Sequence, residues 1–592
     1  MKLFFRSLVL MITLASISGA LDNKGTEFIL GFIPNGLGSK NVELQLTGDV
    51  ATTVNIEYPL GITIEIAEVT PGSVTIVDLP VAASVWVADK VTPNLVRATA
   101  PDEFVTYMIN RQSFSSDAAL GLPVDTMNTE YVVMDYDTGP NGRPEFLVYA
   151  AFNDTTVTIT PNIALVGREA GTPFEVQLNK GEGYLALSAT SSSTDSLTGS
   201  IVSASRPVGM TNGHECANIQ TDITYCDHIF EVAQPVQTWG IEVGVANLPQ
   251  RTQGSIYRVV VSEDNTVVTI DNEELATLSK GESFETEPKT GNHVFRGDKP
   301  IYVGQYMTGN SSPDAIDGDP AQGNMIPFAQ YLTDYTFSTV GGSQFITNYV
   351  TIIANNDDVG SLELDGSPVA ANKFEPIPTS DFSVALVEIP EGTHSTSSAN
   401  PHGITVEGYN KDDSYLYPGG ALFQFINPIN DPDPPIVTLE PQTGSPPTVS
   451  GLAKDNRPKT DTGIFFIELG PSSTYLELTV DAFVPGDGSV GFVVSLIDNS
   501  SDGSGTVVVT DGAGNVSMVP ITISLATSPV PTSNPPTSEP TSAPTKMPKS
   551  PPTAPPTKTP TAPPTGKGKG KGGSKGGKGP TTGGKGKGKG GS

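Results

Sequence analysis

Along most of the first 430 residues, apolar and β-branched side chains alternate with polar ones at a spacing of two. Thr155–Thr160 reads TTVTIT and Thr266–Ile270 reads TVVTI. That period places one set of side chains on each face of an extended strand, so it predicts half-buried strands separated by Gly, Asn-Asp and Pro turns. No stretch shows the 3.6-residue period of a three-turn amphipathic helix. The strands recur as a unit. EFILGFIPNGLGSKNVELQLTGDVATTVNI from Glu27 returns as EYVVMDYDTGPNGRPEFLVYAAFNDTTVTI from Glu130 and as IEVGVANLPQRTQGSIYRVVVSEDNTVVTI from Ile241. A more divergent fourth copy, YTFSTVGGSQFITNYVTIIANNDDVGSLEL, starts at Tyr335.

Other landmarks keep step with these copies. KGEGY at Lys180 matches KGESF at Lys280, and LPVDTMNTEYVV, QPVQTWGIEV and IPFAQYLTDYTF each lead into the next copy. Units of about a hundred residues with six to eight short strands are sandwich-sized. The expectation is an all-β protein of four tandem β-sandwich-like modules over residues 26–427. A β-propeller of half-size blades is the alternative. The joint Asn430-Asp431-Pro432-Asp433-Pro434-Pro435 is acidic and stiffened by proline. Beyond it, residues 436–525 alternate again (IVTLEP, TGIFFIEL, YLELTVDAF, VGFVVSLI, GTVVVTD, MVPITISL), and DGAGNVS at Asp511 resembles the last hairpin of immunoglobulin-like repeats. A seven-strand sandwich is expected there. Residues 526–565 form a Pro/Thr/Ser-rich stalk suited to O-glycosylation, and residues 566–592 a Lys/Gly-rich tail; neither composition builds a core.

Composition then places the chain. Residues 1–20, MKLFFRSLVLMITLASISGA, have the basic start, apolar run and small-residue end of a signal peptide, which implies secretion with a mature start near Leu21. No later segment has the length of a membrane-spanning helix. The formal net charge is −31, yet the last 67 residues carry eleven Lys against one Glu, so the body is more acidic than the total suggests. An acidic body argues against nucleic acid as a partner. The tail lysines Lys567, Lys569, Lys571, Lys575, Lys578, Lys585, Lys587 and Lys589 are spaced mainly by Gly, a diffuse polycation suited to tethering the chain to an anionic surface.

The scarce residues cluster. HECANIQTDITYCDHIFEVAQPVQTW, from His214 to Trp239, contains both cysteines, two of five histidines and one of two tryptophans. His214-x-Cys216 and Cys226-x-His228 mirror one another, so a zinc site and a disulfide compete. Secretion favours a Cys216–Cys226 disulfide closing a short loop.

Catalytic motifs are scarce. Gly-x-Ser-x-Gly, His-Glu-x-x-His and the phosphate-loop pattern do not occur, and the Gly-x-Gly-x-x-Gly at Gly486, Gly488 and Gly491 lies between strands with no following helix. Calcium is the cofactor to consider. Asp498-x-Ser500-x-Asp502 spaces oxygen donors like the start of a calcium loop, Asp314, Asp317 and Asp319 share a Gly-Pro loop, and Asn430-Asp431 sits at a module joint. The sequons at Asn153, Asn310, Asn499 and Asn515 are candidate N-glycosylation sites.

Several long motifs resemble the N-terminal domain of the IgGFc-binding protein family. They are SSDAALGLPVDTMNTEYVV at Ser115, NDTTVTITP at Asn153, LTGSIVSASRPVGMTNGHECA at Leu197, CDHIFEVAQPVQTWG at Cys226 and GTHSTSSANPHGITVEGYNKDDSYLYPGG at Gly392. The resemblance covers residues 26–427 and implies a secreted, mucus- or matrix-associated binding module without catalysis. The expected function is a non-enzymatic extracellular matrix or wall adhesion protein that recognises glycoprotein or polysaccharide. A secreted carbohydrate-active enzyme is the alternative.

Overall fold

One long strand organises each repeat: Val96–Arg111, Ile201–Ala217, His293–Met307 and Thr393–Tyr409. In the first repeat, the strand's beginning pairs with Gly25–Leu30 and Thr52–Glu57, and its end with Asn41–Thr47 and Asp117–Leu120. Two four-stranded layers thus share one strand, and each repeat forms a seven- or eight-stranded antiparallel assembly. This computed structural model describes residues 21–525, apart from 37, 39, 138, 140, 192–194, 221–223, 310–315, 343, 428–430, 457–460, 471 and 499. The chain divides into units Met1–Thr527 and Ser528–Ser592; the signal segment, the stalk and the lysine tail lie outside the described residues.

The alternation read from the sequence is realised directly. Thr155–Thr160 buries Val157 and Ile159 while Thr156 and Thr158 are half-exposed. The landmark prolines recur structurally as well: Pro123, Pro235 and Pro327 each precede a 3-10 turn that delivers the chain to the next repeat's first strand. The KGE landmarks supply tight turns, with Gly181 at φ +80° and Gly281 at φ +79°, a region that glycine enters without a Cβ penalty.

The four tandem modules close on themselves. The last strands of the repeats, Asp117–Leu120, Asp227–Val232, Ala321–Asn324 and Ser414–Pro418, lie side by side around a ring, the fourth against the first. Closure is sealed where the chain enters and leaves. Asp22 bridges Leu422, Phe423 N–H donates to Leu21 O at 2.7 Å, and Ser116 N–H donates to Asp413 Oδ1 at 3.0 Å. The physical reason is burial. The inner strands are buried along their whole length, and each one alone would leave an apolar face in water. The main core therefore joins the first and fourth repeats, with Tyr107 and Tyr417 rings 5.0 Å apart. Residues 436–525 form the expected sandwich, with a four-stranded sheet facing a three-stranded one around Val449, Phe492, Val494, Val507 and Ile523.

Burial has a cost at Glu407, on the fourth long strand. It is fully buried, Thr351 Oγ1 donates to its Oε1 at 2.8 Å, and its Oε2 has no partner. Burial raises its carboxyl to about 8. A raised folded pKa contributes stability that is present below the unfolded value and lost as pH rises through the folded one. Stability should therefore fall between the ordinary carboxylate range and pH 8, by at most about 1.4 kcal/mol per pH unit from this group. Glu407→Gln should match the parent at pH 4 and exceed it at pH 8 in denaturant titrations. Parallel pH profiles of the two proteins would refute this.

Candidate binding cleft and joint

Where the ring meets the sandwich, the surface opens into a cleft of about 430 Å³, within the size range of ligand pockets. Its ring side supplies Thr26, Glu27, Val124, Asp125, Met127, Phe152 and Pro207; its sandwich side supplies Phe465, Phe466, Ile467, Glu468, Phe483 and Pro485. Phe465 is buried and anchors the wall, packing edge-on against Phe425 with ring centroids 5.8 Å apart. Phe152, Phe466 and Phe483 stay half-exposed and present ring surface to the opening. Glu27 is committed to ion pairs with Arg97 and Lys180, both at 2.7 Å. Although partial burial opposes it, those two cations hold its carboxyl below the ordinary value. Partial burial, with the like charges of Asp22 and Glu103, raises the Asp125 carboxyl to about 7, although the residue keeps solvent access.

The walls are held in register by the joint. Asn128 Nδ2 donates to Gly512 O at 3.0 Å across it, and Arg206 reaches Asp487 at 3.6 Å. Gly514, at φ +89°, lets its backbone lie where any Cβ would come within 2.2 Å of Phe425 O. Three buried carboxyls, Asp431, Asp455 and Asp511, bring oxygens within 4.8 Å of one another beside this contact. Each is also a loop tie. Asp431 Oδ2 accepts from Thr462 N–H and Oγ1, both at 2.8 Å, and Asp455 Oδ2 accepts from Gly463 N–H at 2.8 Å. Asp511 Oδ1 accepts from Asn515 N–H at 2.8 Å. A set of carboxylate oxygens is what a hard divalent cation takes.

The other sequence candidates are distributed as follows. Cys216 and Cys226 are disulfide-bonded, so neither offers a thiolate to zinc. Their histidines lie in strands, not in a loop, and are fully buried. His214 Nδ1 accepts from Cys216 N–H at 3.0 Å, and His228 Nδ1 lies 3.0 Å from His214 O. Burial, with His228 nearby, pushes His214 down to about 3, and burial pushes His228 down to about 4, so both imidazoles are neutral. Asp498 Oδ1 accepts from Ser500 N–H at 2.8 Å and from Ser500 Oγ in a local turn, while Asp502 Oδ1 accepts from Leu525 N–H at 2.8 Å. Arg251 ties the loop of Asp317 and Asp319 through the carbonyls of Asp317 and Gly318, each at 2.7 Å. Asp314, Asn430, Asn310 and Asn499 lie outside the described residues.

Asn153 is exposed and its Oδ1 caps Lys180 N–H at 3.1 Å. Asn515 Nδ2 donates to Asp431 O at 2.7 Å and to Asp511 Oδ2 at 2.9 Å, so the atom a glycan would use is already engaged. The sequence reading found Asp431 but not Asp455 or Asp511 as its partners. Only the DGAGN turn hinted at Asp511, and nothing local marks Asp455.

A closed ring of repeated all-β modules, with an open aromatic cleft and no described helix able to cross a membrane, has the features of a protein-built binding surface. Residues 117–408 match the family described as IgGFc binding protein. The human IgGFc-binding protein is 25% identical over 375 residues, which is 61% of this chain but 7% of that protein. The chain thus spans a small fraction of its curated relative.

Proposed function

We propose that this protein is a secreted, non-enzymatic binding protein of an extracellular matrix or wall, and that its cleft recognises glycoprotein or polysaccharide. The aromatic lining carries the reading. Half-exposed Phe152, Phe466 and Phe483 beside Glu468 and Asp125 offer flat apolar faces next to hydrogen-bonding oxygens, a combination that suits a sugar ring or a glycopeptide. Calcium at Asp431, Asp455 and Asp511 would stiffen the joint that sets the cleft's width. The lysine tail would tether the chain to an anionic surface through salt-sensitive contacts.

The test is retention of the full-length protein on immobilised matrix glycoprotein and wall polysaccharide. The Phe466→Ala/Phe483→Ala double variant should bind the ligand at least tenfold more weakly, and removal of residues 566–592 should abolish only the low-salt retention on polyanions. Equal binding by parent and double variant would sink the cleft; equal low-salt retention after truncation would sink the tether. One observation favours a carbohydrate-active enzyme instead: Glu27 and Asp125 line one cleft with carboxyls shifted in opposite directions. Glu27 is, however, held by two cations and poorly placed to act as a base. Release of reducing sugar by the parent, abolished in Asp125→Asn, would move the assignment to that class.

A further inference from the structure

Between the second and third repeats, three buried side-chain oxygens on neighbouring strands have no hydrogen-bond partner. Asn212 stands directly across from Glu231 in the pairing of the second long strand with its inner strand. The inner strand of the third repeat, which carries Gln322 and Asn324, packs beside it. All four side chains are at most 1% exposed. Asn212 Nδ2 and Gln322 Nε2 both donate to the same acceptor, Met134 O, the latter at 3.1 Å. A carbonyl oxygen only accepts, and a side-chain amide donates only through its nitrogen, so both amides are set with nitrogen toward Met134 and oxygen away from it. Asn212 Oδ1, Gln322 Oε1 and Glu231 Oε1 are then left with no partner. Burial, with the like charge of Asp117, holds the Glu231 carboxyl well above the ordinary range, although it accepts from the backbone N–H groups of Asn324 and Val232.

Buried polar atoms in native proteins are satisfied nearly without exception, and an isolated buried carboxylate is among the costliest. We propose that Glu231 Oε1, Asn212 Oδ1 and Gln322 Oε1 form a cation site built into the ring, taking a hard, oxygen-seeking ion, calcium or sodium. An all-oxygen set of one carboxylate and two amides is the donor chemistry such ions select, and it offers nothing to a soft metal. Because two repeats contribute the donors, the ion would lock the second module to the third. This site is separate from the carboxyl cluster at the joint.

The rival account is a protonated Glu231 whose O–H donates to one of the amide oxygens. The test uses the full-length secreted protein. Its metal content is measured by mass spectrometry after extensive dialysis, and its thermal midpoint in calcium-only, sodium-only and potassium-only buffers. Terbium luminescence serves as a proximity probe, since Tyr302 and Tyr417 both sense the Glu231 charge and Trp239 stacks on Tyr302 at 5.0 Å. With the joint cluster disabled by Asp431→Asn, the protein should still respond to calcium or to sodium, and adding Glu231→Gln to that background should abolish the remaining response. The sensitised terbium signal should disappear with Glu231→Gln. Gln322→Met, which removes one oxygen and leaves the carboxylate, should weaken ion binding at least tenfold and covers the case in which Glu231→Gln fails to fold. Identical cation responses in parent and variants, with a carboxylic-acid infrared band that vanishes in Glu231→Gln, would overturn the proposal in favour of the protonated acid.

Discussion

Trp239→Ala is expected to destabilise the ring by about 3–5 kcal/mol, the range for removing a buried aromatic from a packed core. Trp239 is 1% exposed, stacks on Tyr302 at a 5.0 Å centroid distance, and donates from Nε1 to Gln234 O at 3.2 Å. It also begins the third repeat, immediately after the Pro235 turn, and shares a core cluster with Val132, Met134 and Ile229 of the second. The cavity would therefore open at a seam between modules, where neither repeat can collapse into it without breaking ring contacts. Urea unfolding followed by circular dichroism measures the loss. Limited proteolysis should also turn from cutting the tail to cutting within residues 21–427. Trp239→Phe, which keeps most of the ring volume, should recover the larger part of the stability. A loss below about 1 kcal/mol for the alanine variant would mean that the seam repacks, contrary to the cavity term expected here.

The second large effect is at the disulfide. Joint replacement of Cys216 and Cys226 by alanine should cost about 3 kcal/mol, the chain-entropy value for a closed loop of this length, within the usual span of about 2–4 kcal/mol. The bond ties the end of the second long strand to the approach of its inner strand, across a sequence separation of 10. The third repeat crosses from Met307 to Ala321 with no cysteine at all, so the ring does not require a disulfide for this connection. The prediction is thus a loss of stability with retention of fold. A reducing agent should lower the denaturation midpoint of the parent as much as the double substitution does, and should leave the variant unmoved. An unchanged midpoint in both would show that the packed inner strands alone order the loop.

Both predictions fall in one 26-residue segment that was conspicuous by its residue types alone. Its cysteine pairing was readable because an expected secretory route and the presence of two cysteines leave few choices. The fates of His214 and His228 were not. A mirrored His-Cys spacing describes a zinc site as well as a disulfide, and burial at 0% exposure, which makes both imidazoles neutral, is a property of the assembled ring.

What the sequence determined by itself is local and periodic. Period-two alternation specifies strands and the faces they bury, the spacing of Pro123, Pro235 and Pro327 marks where one repeat hands over to the next, and recurring strand patterns point to four copies, with a separate strand series for the further sandwich. The tertiary structure alone decided how the modules face one another. Strand pairing within a repeat is encoded at short range, but closure of Ser414–Pro418 on Asp117–Leu120 joins residues about three hundred apart and is driven by non-directional burial, which leaves no motif. The same holds for the sites. Phe152 and Phe483 line one cleft, Asp431, Asp455 and Asp511 share one joint, and Asn212, Glu231 and Gln322 meet at one seam, because separately encoded strands are packed together. A side chain's neighbour across a packed interface is set by the geometry of the whole ring, and no alternation of polar and apolar residues along one strand can specify it.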